Sequence, residues 1–337
     1  MSFSSFLIRR LLLIIPVLIA VAFIVFWMIR LIPGDPAILM ADEDATPEQI
    51  DDLRERWGLN DPIHIQFIRF IENVFQGDFG TSIRSGRSVF EEIMPRFRNT
   101  IFLALSACFF ALLGGITAGI ISSVKPYSKT DNAAMIGAMI GVSAPAFWLG
   151  LMMMWLFAVE LGFLPAIGTG DYDLLFSLIP GLFFPPGSTL LEFLTVLWKA
   201  IRHLLMPSLT LSAFLMAVLA RQTRSSMLEV LNSDYIRTAR AKGAPESRVI
   251  FIHTIKNALI PVITVAGVSF GAMLGGTIII ESVFSYNGLG YYLIDAIHTR
   301  DYPVIQGVIL WYAFIFAIVN LFVDVIYGWL DPRIAYD

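Results

Sequence analysis

The stretch Asn232–Pro261, NSDYIRTARAKGAPESRVIFIHTIKNALIP, is a polar island set between two apolar spans, and the rest of the chain is read from it. Asn232, Ser233 and Asp234 offer side-chain oxygens to the first amides of a helix, and Tyr235 to Lys242 contains no helix breaker. Arg240 and Lys242 fall in the last turn, where cations suit the helix dipole, and Gly243 supplies the residue that turns left-handed just past the end. Pro245 blocks continuation and starts a second helix, which runs through Val249, Ile252 and Ile255 into the next apolar span. The spacing predicts a helix-glycine-helix elbow exposed at a membrane face. Ala239 and Ala241 are small enough for the first helix to enter a groove on another protein, with Arg237, Arg240 and Lys242 placed to pair with acidic groups around it. The plainer reading is a basic cytoplasmic loop held inside by its charge.

Composition agrees with a membrane setting. Of 337 residues, 57% are hydrophobic and only 15% charged, and the mean hydropathy is +0.73, far from the balance of a soluble domain. A net charge of −4 points neither to nucleic acid nor to a strongly acidic partner. The single cysteine, Cys108, lies in an apolar run and excludes an internal disulfide framework or a cysteine-rich metal site.

Six apolar spans are expected. The first, Leu11 to Ile32, follows Arg9 and Arg10; a cleaved signal peptide is the competing reading, aided by Ala20-Val21-Ala22, but the apolar run continues through Trp27 and is long enough to cross a bilayer. Five more lie at about 100–124, 134–160, 204–221, 259–281 and 304–330. The turn at 125–133 and the island from Arg221 to Lys256 carry nine cations, against Lys199, Arg202 and Arg300 on the shorter loops of the other side. That asymmetry puts the elbow and both termini in the cytoplasm.

Between the first two spans, residues 33–99 form the longest polar region. WGLNDP at 57–62 and GDFGTS at 77–82 read as turns between short helices, and Trp57, Leu59, Ile63, Ile65, Phe67, Phe70, Ile71 and Phe75 give this extracytoplasmic cap something to pack. The loop 161–203 is itself apolar. Leu174 to Phe184 is too short to cross and is broken by Pro180, Pro185, Pro186 and Gly187, so an interfacial or re-entrant segment is expected there.

Within the spans, Gly267, Gly271 and Gly275 recur on one face of the fifth and invite close approach of another helix, while Gly137, Gly141, Ser143, Ala144 and Pro145 do the same in the third and bend it. Plain packing within the chain would use the same residues. Glu160, Glu281 and Asp324 are ionisable groups at or near apolar spans and so candidates for function. Glu160 and Glu281 sit at span ends where water can reach them; Asp324, with Asn320 and Tyr327 on its face, suits a structural contact.

Tyr235-Ile236-Arg237-Thr238-Ala239-Arg240-Ala241-Lys242-Gly243, followed by Asn257-Ala258-Leu259-Ile260-Pro261, resembles the EAA loop of ABC importer permeases in the form found in the dipeptide and oligopeptide permease family. Arg237-Thr238-Ala239 stands where the general pattern has Glu-Ala-Ala, and Pro261 comes late after Gly243; both departures are typical of the peptide branch. IPGDP at 32–36, GDFG at 77–80, the run Ser282 to Val304 with Phe284, Gly288-Leu289-Gly290 and Arg300-Asp301-Tyr302-Pro303, and Leu330-Asp331-Pro332-Arg333 extend the resemblance over essentially the whole chain.

The resemblance implies an all-α integral membrane protein with the six transmembrane helices of the type I ABC importer permease fold. Its parts would be a first helix with its tail (1–32), a cap (33–99), a core of five helices (100–330) with a coupling loop at 222–258, and a cytoplasmic tail (331–337). Asp234, Tyr235, Arg237, Thr238, Ala239, Arg240, Ala241, Lys242 and Gly243 would couple the chain to a cytoplasmic ATPase. Ser143, Pro145, Phe147, Gly271, Met273, Gly275 and Glu281 would lie along a translocation path, and Phe284, Gly288, Gly290, Arg300 and Asp301 at an outer gate or binding-protein contact. Partners would be a second, homologous permease, two ATP-binding subunits that hold ATP and Mg, an extracytoplasmic binding protein and a peptide substrate, in a bacterial inner membrane; this chain itself would carry no cofactor or metal. Glutathione and nickel are the alternative cargoes of the same family.

No Gly-x-x-x-x-Gly-Lys-Ser/Thr loop and no His-Glu-x-x-His is present, and Gly141-Val142-Ser143 does not complete a Gly-x-Ser-x-Gly nucleophile motif. The histidines, His64, His203, His253 and His298, are scattered, which argues against an intramembrane hydrolase. A secondary transporter driven by an ion gradient through Glu281 or Asp324 is the stronger rival, and it leaves the elbow unexplained.

Overall fold

The computed structural model describes residues 3–31, 37–38, 45–56, 58–170 and 190–330. The IPGDP turn, Trp57, the Leu174–Phe184 segment, the side chain of Tyr327 and the Asp331-Pro332-Arg333 tail lie outside the described residues. The helices are α1 (Phe3–Arg30), α2 (Pro47–Arg56), α3 (Ile63–Phe75), α4 (Val89–Val124), α5 (Lys129–Ser143), α6 (Ala146–Glu160), α7 (Leu190–Leu231), α8 (Asp234–Ala241), α9 (Glu246–Val283), α10 (Leu289–Thr299) and α11 (Tyr302–Leu330). Five of them, α1, α4, α7, α9 and α11, are long and apolar enough to cross a membrane, and α5 with α6 makes a sixth, broken span.

That break is the bend expected at Pro145 within the span 134–160, and it is sharp enough to divide the span into two helices. The α5 and α6 axes meet at 108°, at a proline that disfavours the helical conformation for the residue before it. Ala144 is accordingly extended, at φ −76° and ψ 130°, and Pro145 opens the next helix. The fourth span is longer than expected at both ends, since residues 190–203 and 222–231 continue its helix. Pro207 inside α7 frees carbonyls of the preceding turn, and the Ser208 hydroxyl donates to the Leu204 carbonyl at 2.6 Å. Thr210 and Ser212 hydroxyls likewise donate within the helix, to Met206 and Leu209.

The chain divides into two compact units, one of residues 1–98 with 288–337 and the other of residues 99–287. This grouping differs from the division by sequence order, because the first span and the cap share a unit with the last span.

In the first unit α1 packs along α11, and the Arg10 guanidinium reaches the Asp324 carboxylate at 2.9 Å, the structural contact foreseen for Asp324. Phe67 and Phe70 of α3 stack near Phe26 of α1, with ring centroids 5.1 and 5.6 Å away. The cap helix thus leans on the first span, yet none of its residues is fully buried and Phe75 stays exposed. Gly77 and Gly80 of the GDFG turn have φ of +79° and +84°, the left-handed region that favours glycine, and the Asp78 carboxylate accepts from the Gly80 amide at 2.8 Å.

The second unit is organised on α7. Leu103, Ala107 and Ala111 of α4, Met206, Leu211, Leu215 and Leu219 of α7, and Val262, Ala266, Met273 and Ile280 of α9 form one buried cluster. A β-carbon at Gly119 would lie 2.4 Å from Thr223 Cβ and 2.7 Å from the Ala220 carbonyl oxygen, and one at Gly115 would lie 2.7 Å from the Met216 carbonyl oxygen. Close backbone approach at small residues is how helices associate where lipid is as apolar as a side chain. Of the glycines expected to do this in the fifth span, Gly271 is buried, whereas a β-carbon at Gly275 would meet nothing of this chain within 4 Å.

Gly119→Ala therefore should destabilise the purified protein by about 1–3 kcal/mol through overpacking. Gly137→Ala, at a position with nothing within 4 Å, should leave the thermal midpoint in detergent unchanged; equal midpoints for the two variants would contradict the packing argument.

Candidate functional site

The elbow forms as the sequence predicts, with one local difference. Ser233 is the N-cap of α8, but its side chain makes no capping bond; the hydroxyl donates back to the Val230 carbonyl at 2.6 Å instead. The C-terminal end is a Schellman closure: the Ala244 amide donates to the Ala239 carbonyl at 3.2 Å and the Gly243 amide to the Arg240 carbonyl at 2.9 Å. Gly243 has φ +80°, and Pro245 precedes the first residue of α9.

Three contacts fix α8 against the base of α9. Ile236 is fully buried, which contributes about 1.5–3 kcal/mol. At one end the Asn257 amide donates to the Tyr235 hydroxyl at 3.0 Å. At the other, Arg240 donates through Nε and Nη2 to the two Glu246 carboxylate oxygens at 3.2 and 2.7 Å, bridging the glycine turn. The Glu246 carboxylate, hydrogen-bonded to the guanidinium, raises the already high pKa of Arg240. With side chains 43% and 58% exposed, water screens this pair and it adds little to stability, so its role is geometric. Arg240 thus finds an acid inside the elbow, and Arg237 sits 3.4 Å from Asp234.

Of the nine residues singled out for coupling, Asp234, Tyr235, Arg237, Thr238, Arg240, Ala241, Lys242 and Gly243 are exposed and Ala239 is half-buried. The arrangement is a short helix on a stiff mount, with one face held and the rest offered outward. Just beyond it, α9 takes a π-helical turn over Val249–Thr254, where the buried Thr254 hydroxyl donates to the Val249 carbonyl at 3.0 Å. Ile236 and Glu246 are the members that sequence reasoning passed over. Their signals are a lone apolar residue in a polar helix and an acid just after the proline.

The expected translocation residues are scattered rather than gathered. Ser143, Pro145 and Phe147 are exposed around the bend between α5 and α6, and Gly275 is exposed on α9. Gly271 and Met273 are buried in the packing of α9. Glu281, read as a residue water can reach, is fully buried, and the Thr100 hydroxyl donates to it at 2.7 Å. Beside it the Tyr286 hydroxyl donates to the Asn99 carbonyl at 3.2 Å and the Asn99 amide to the Asn287 carbonyl at 2.8 Å, so Glu281 belongs to a polar knot that ties α4 to the end of α9. Glu160 is exposed.

Of the residues expected at an outer gate, Phe284 is buried in the second unit. In the first unit Gly288 and Gly290 are buried at the start of α10, and only Arg300, in the left-handed conformation at φ 57°, is exposed. Asp301 is buried and accepts from the Ser82 hydroxyl at 2.6 Å and the Arg84 amide at 3.3 Å. These side chains, with Glu92, Arg96, Tyr292 and Asp295, line a polar cavity of about 320 Å³. Burial, then the hydrogen bond that the Tyr292 hydroxyl donates to Glu92, pushes the Tyr292 phenol well up.

Arg240→Glu should speed amide exchange at Gly243 and Ala244 by up to roughly fivefold. The exchanged pair Arg240→Glu with Glu246→Arg should restore the native rate. Native exchange in the single variant would show that the strut does not hold the elbow.

The family described as binding-protein-dependent transport system inner membrane component matches residues 115–336, and its N-terminal companion matches residues 3–104. The dipeptide transport system permease protein of Alkalihalophilus pseudofirmus is 47% identical over 98% of this chain and 99% of its own length. The di/tripeptide transport system permease protein of Pseudomonas aeruginosa is 42% identical and the glutathione transport system permease protein of Escherichia coli K12 is 41% identical, both with 98% and 99% coverage. A chain of the MetNI methionine ABC transporter, solved in inward-facing conformations, covers 71% of this chain and 96% of its own, with a TM-score of 0.51 and 17% identity, a likeness of fold alone. Matched by the family over most of its length and by these relatives nearly end to end, the chain belongs to the binding-protein-dependent transport system inner membrane component family, with the type I ABC importer permease fold.

Proposed function

We propose that this chain is the permease subunit of an ATP-driven importer for di- and oligopeptides. The observation that carries the cargo is the 47% identity, over nearly all of both chains, to a dipeptide permease. The partners are a second, homologous permease, two ATPase subunits that bind ATP and Mg, and a binding protein that delivers the peptide. The membrane is a bacterial inner membrane, with both termini and the elbow in the cytoplasm. The lysines and arginines around the elbow support that orientation.

The chain's own part follows from the mount of α8. A partner that grips the exposed face of α8 and moves it moves the start of α9 as well, because Ile236, Tyr235–Asn257 and Arg240–Glu246 leave the elbow no easy way to flex. The 38 residues of α9 rise about 57 Å, enough to carry the displacement across the bilayer. Closure of the ATPases on ATP then opens the bundle outward, and hydrolysis returns it inward.

A complex of this chain with its partners, in proteoliposomes with binding protein inside the assay medium, should take up labelled dipeptide when ATP is supplied to the ATPase side. Glutathione is the second cargo to test, since a permease named for it is 41% identical; uptake of glutathione and not of peptides would reassign the substrate. Gly243→Pro should cut peptide uptake by about tenfold or more while hydrolysis per complex persists, because proline cannot adopt φ +80° and the Schellman turn is lost. Normal uptake by that variant would contradict coupling through the elbow.

A further inference from the structure

The second unit holds an ion pair with a buried carboxylate that neither the elbow nor the translocation path accounts for. Asp131, in the first turn of α5, is 1% exposed. Its two oxygens accept from Nε and Nη2 of Arg224 on α7, both at 2.7 Å, and one also accepts from the Tyr127 amide at 2.7 Å. Tyr127 is held in the left-handed conformation, at φ 62°, and its ring centroid lies 5.8 Å from the guanidinium. Ser128 caps α5 by accepting from the Asp131 amide at 3.3 Å. Turn, helix start and carboxylate are therefore locked to one arginine.

The location of the pair gives it a task. Arg224 lies about two turns before the end of α7, and α7 runs into α8 through only Asn232 and Ser233, whose amides donate to the Leu228 and Val230 carbonyls. Anything that shifts α8 shifts this end of α7. At the other end of α5, Gly141 lies against α7, where its β-carbon would be 3.0 Å from the Ala213 carbonyl oxygen; the bend at Ala144–Pro145 follows. Contacts between small apolar surfaces slide, whereas a two-pronged ion pair on a buried carboxylate does not shift register without breaking.

We propose that Asp131 and Arg224 pin α5 to α7, so that movement of the elbow reaches the bend between α5 and α6; both are positioning residues for import. The proposal rests on the permease reading above. It assigns to the bent span a mechanical input of its own, separate from the path through α9.

The test uses the whole complex in proteoliposomes and reads peptide imported per ATP hydrolysed. Asp131→Asn and Arg224→Lys should each lower that ratio by about tenfold with the ATPase subunits still attached, and the exchanged pair, Asp131→Arg with Arg224→Asp, should recover part of it. An unchanged ratio, or import and hydrolysis lost together as the subunits dissociate, overturns the pin. A second readout needs no substrate: nitroxides at Met139 on α5, an exposed position, and at Thr238 on α8 report their separation with and without ATP. With the pin intact the two labels keep their separation as ATP binds; in Arg224→Lys the separation should change on ATP binding. A separation that responds identically in both proteins overturns the proposal, whereas a wild-type complex whose labels keep their separation, against a change in Arg224→Lys, but which imports no peptide refutes the cargo and leaves the pin standing.

Discussion

Helices in a bilayer gain nothing by hiding apolar faces from lipid, and the fold depends on what takes the place of that force. Here it is close approach to α7. Gly115 and Gly119 bring the backbone of α4 against it at separations that leave no room for a methyl group, and Gly141 brings α5 nearly as close. The remaining specificity comes from a few polar ties near helix ends: Asp131 with Arg224, Thr100 with Glu281, and Arg240 with Glu246. Each lies where a membrane-spanning helix starts or stops, so none leaves an unpaired charge stranded at mid-membrane, where the cost is several kcal/mol.

The elbow is the counterpart of this economy. It is built to be rigid without being stable in its own right, since an eight-residue helix in water is marginal. Burial of Ile236 supplies the anchor, and the two polar struts orient what is anchored. A part of this kind transmits motion well because it has little freedom to absorb it. The same logic extends inward through α7, whose lower end is continuous with the elbow and whose Arg224 holds the start of α5.

The elbow and the spans are legible in the sequence because their signals are local: Gly243 before Ala244-Pro245, an apolar run, a proline at a bend. The turn glycines of the cap are legible for the same reason. What escapes is set by tertiary approach. Nothing in the spacing of Asp131 and Arg224, 93 residues apart, announces a pair. The Gly267, Gly271, Gly275 stripe looks like a packing face, but which helix receives a glycine depends on the bundle: Gly271 is buried, Gly275 has nothing of this chain within 4 Å, and α7 meets Gly115, Gly119 and Gly141. Glu281 at a span end looks wet until Thr100 and Tyr286 close over it.

The most direct test of the account is a photo-crosslinker placed at Thr238 on the exposed face of α8, in the complete complex. The account predicts light-dependent linkage of this chain to an ATPase subunit, with none from the same probe at Phe109, an exposed position in the middle of α4. Linkage from neither position, in a complex that nonetheless hydrolyses ATP and imports its cargo, would contradict the elbow's role as the mechanical link.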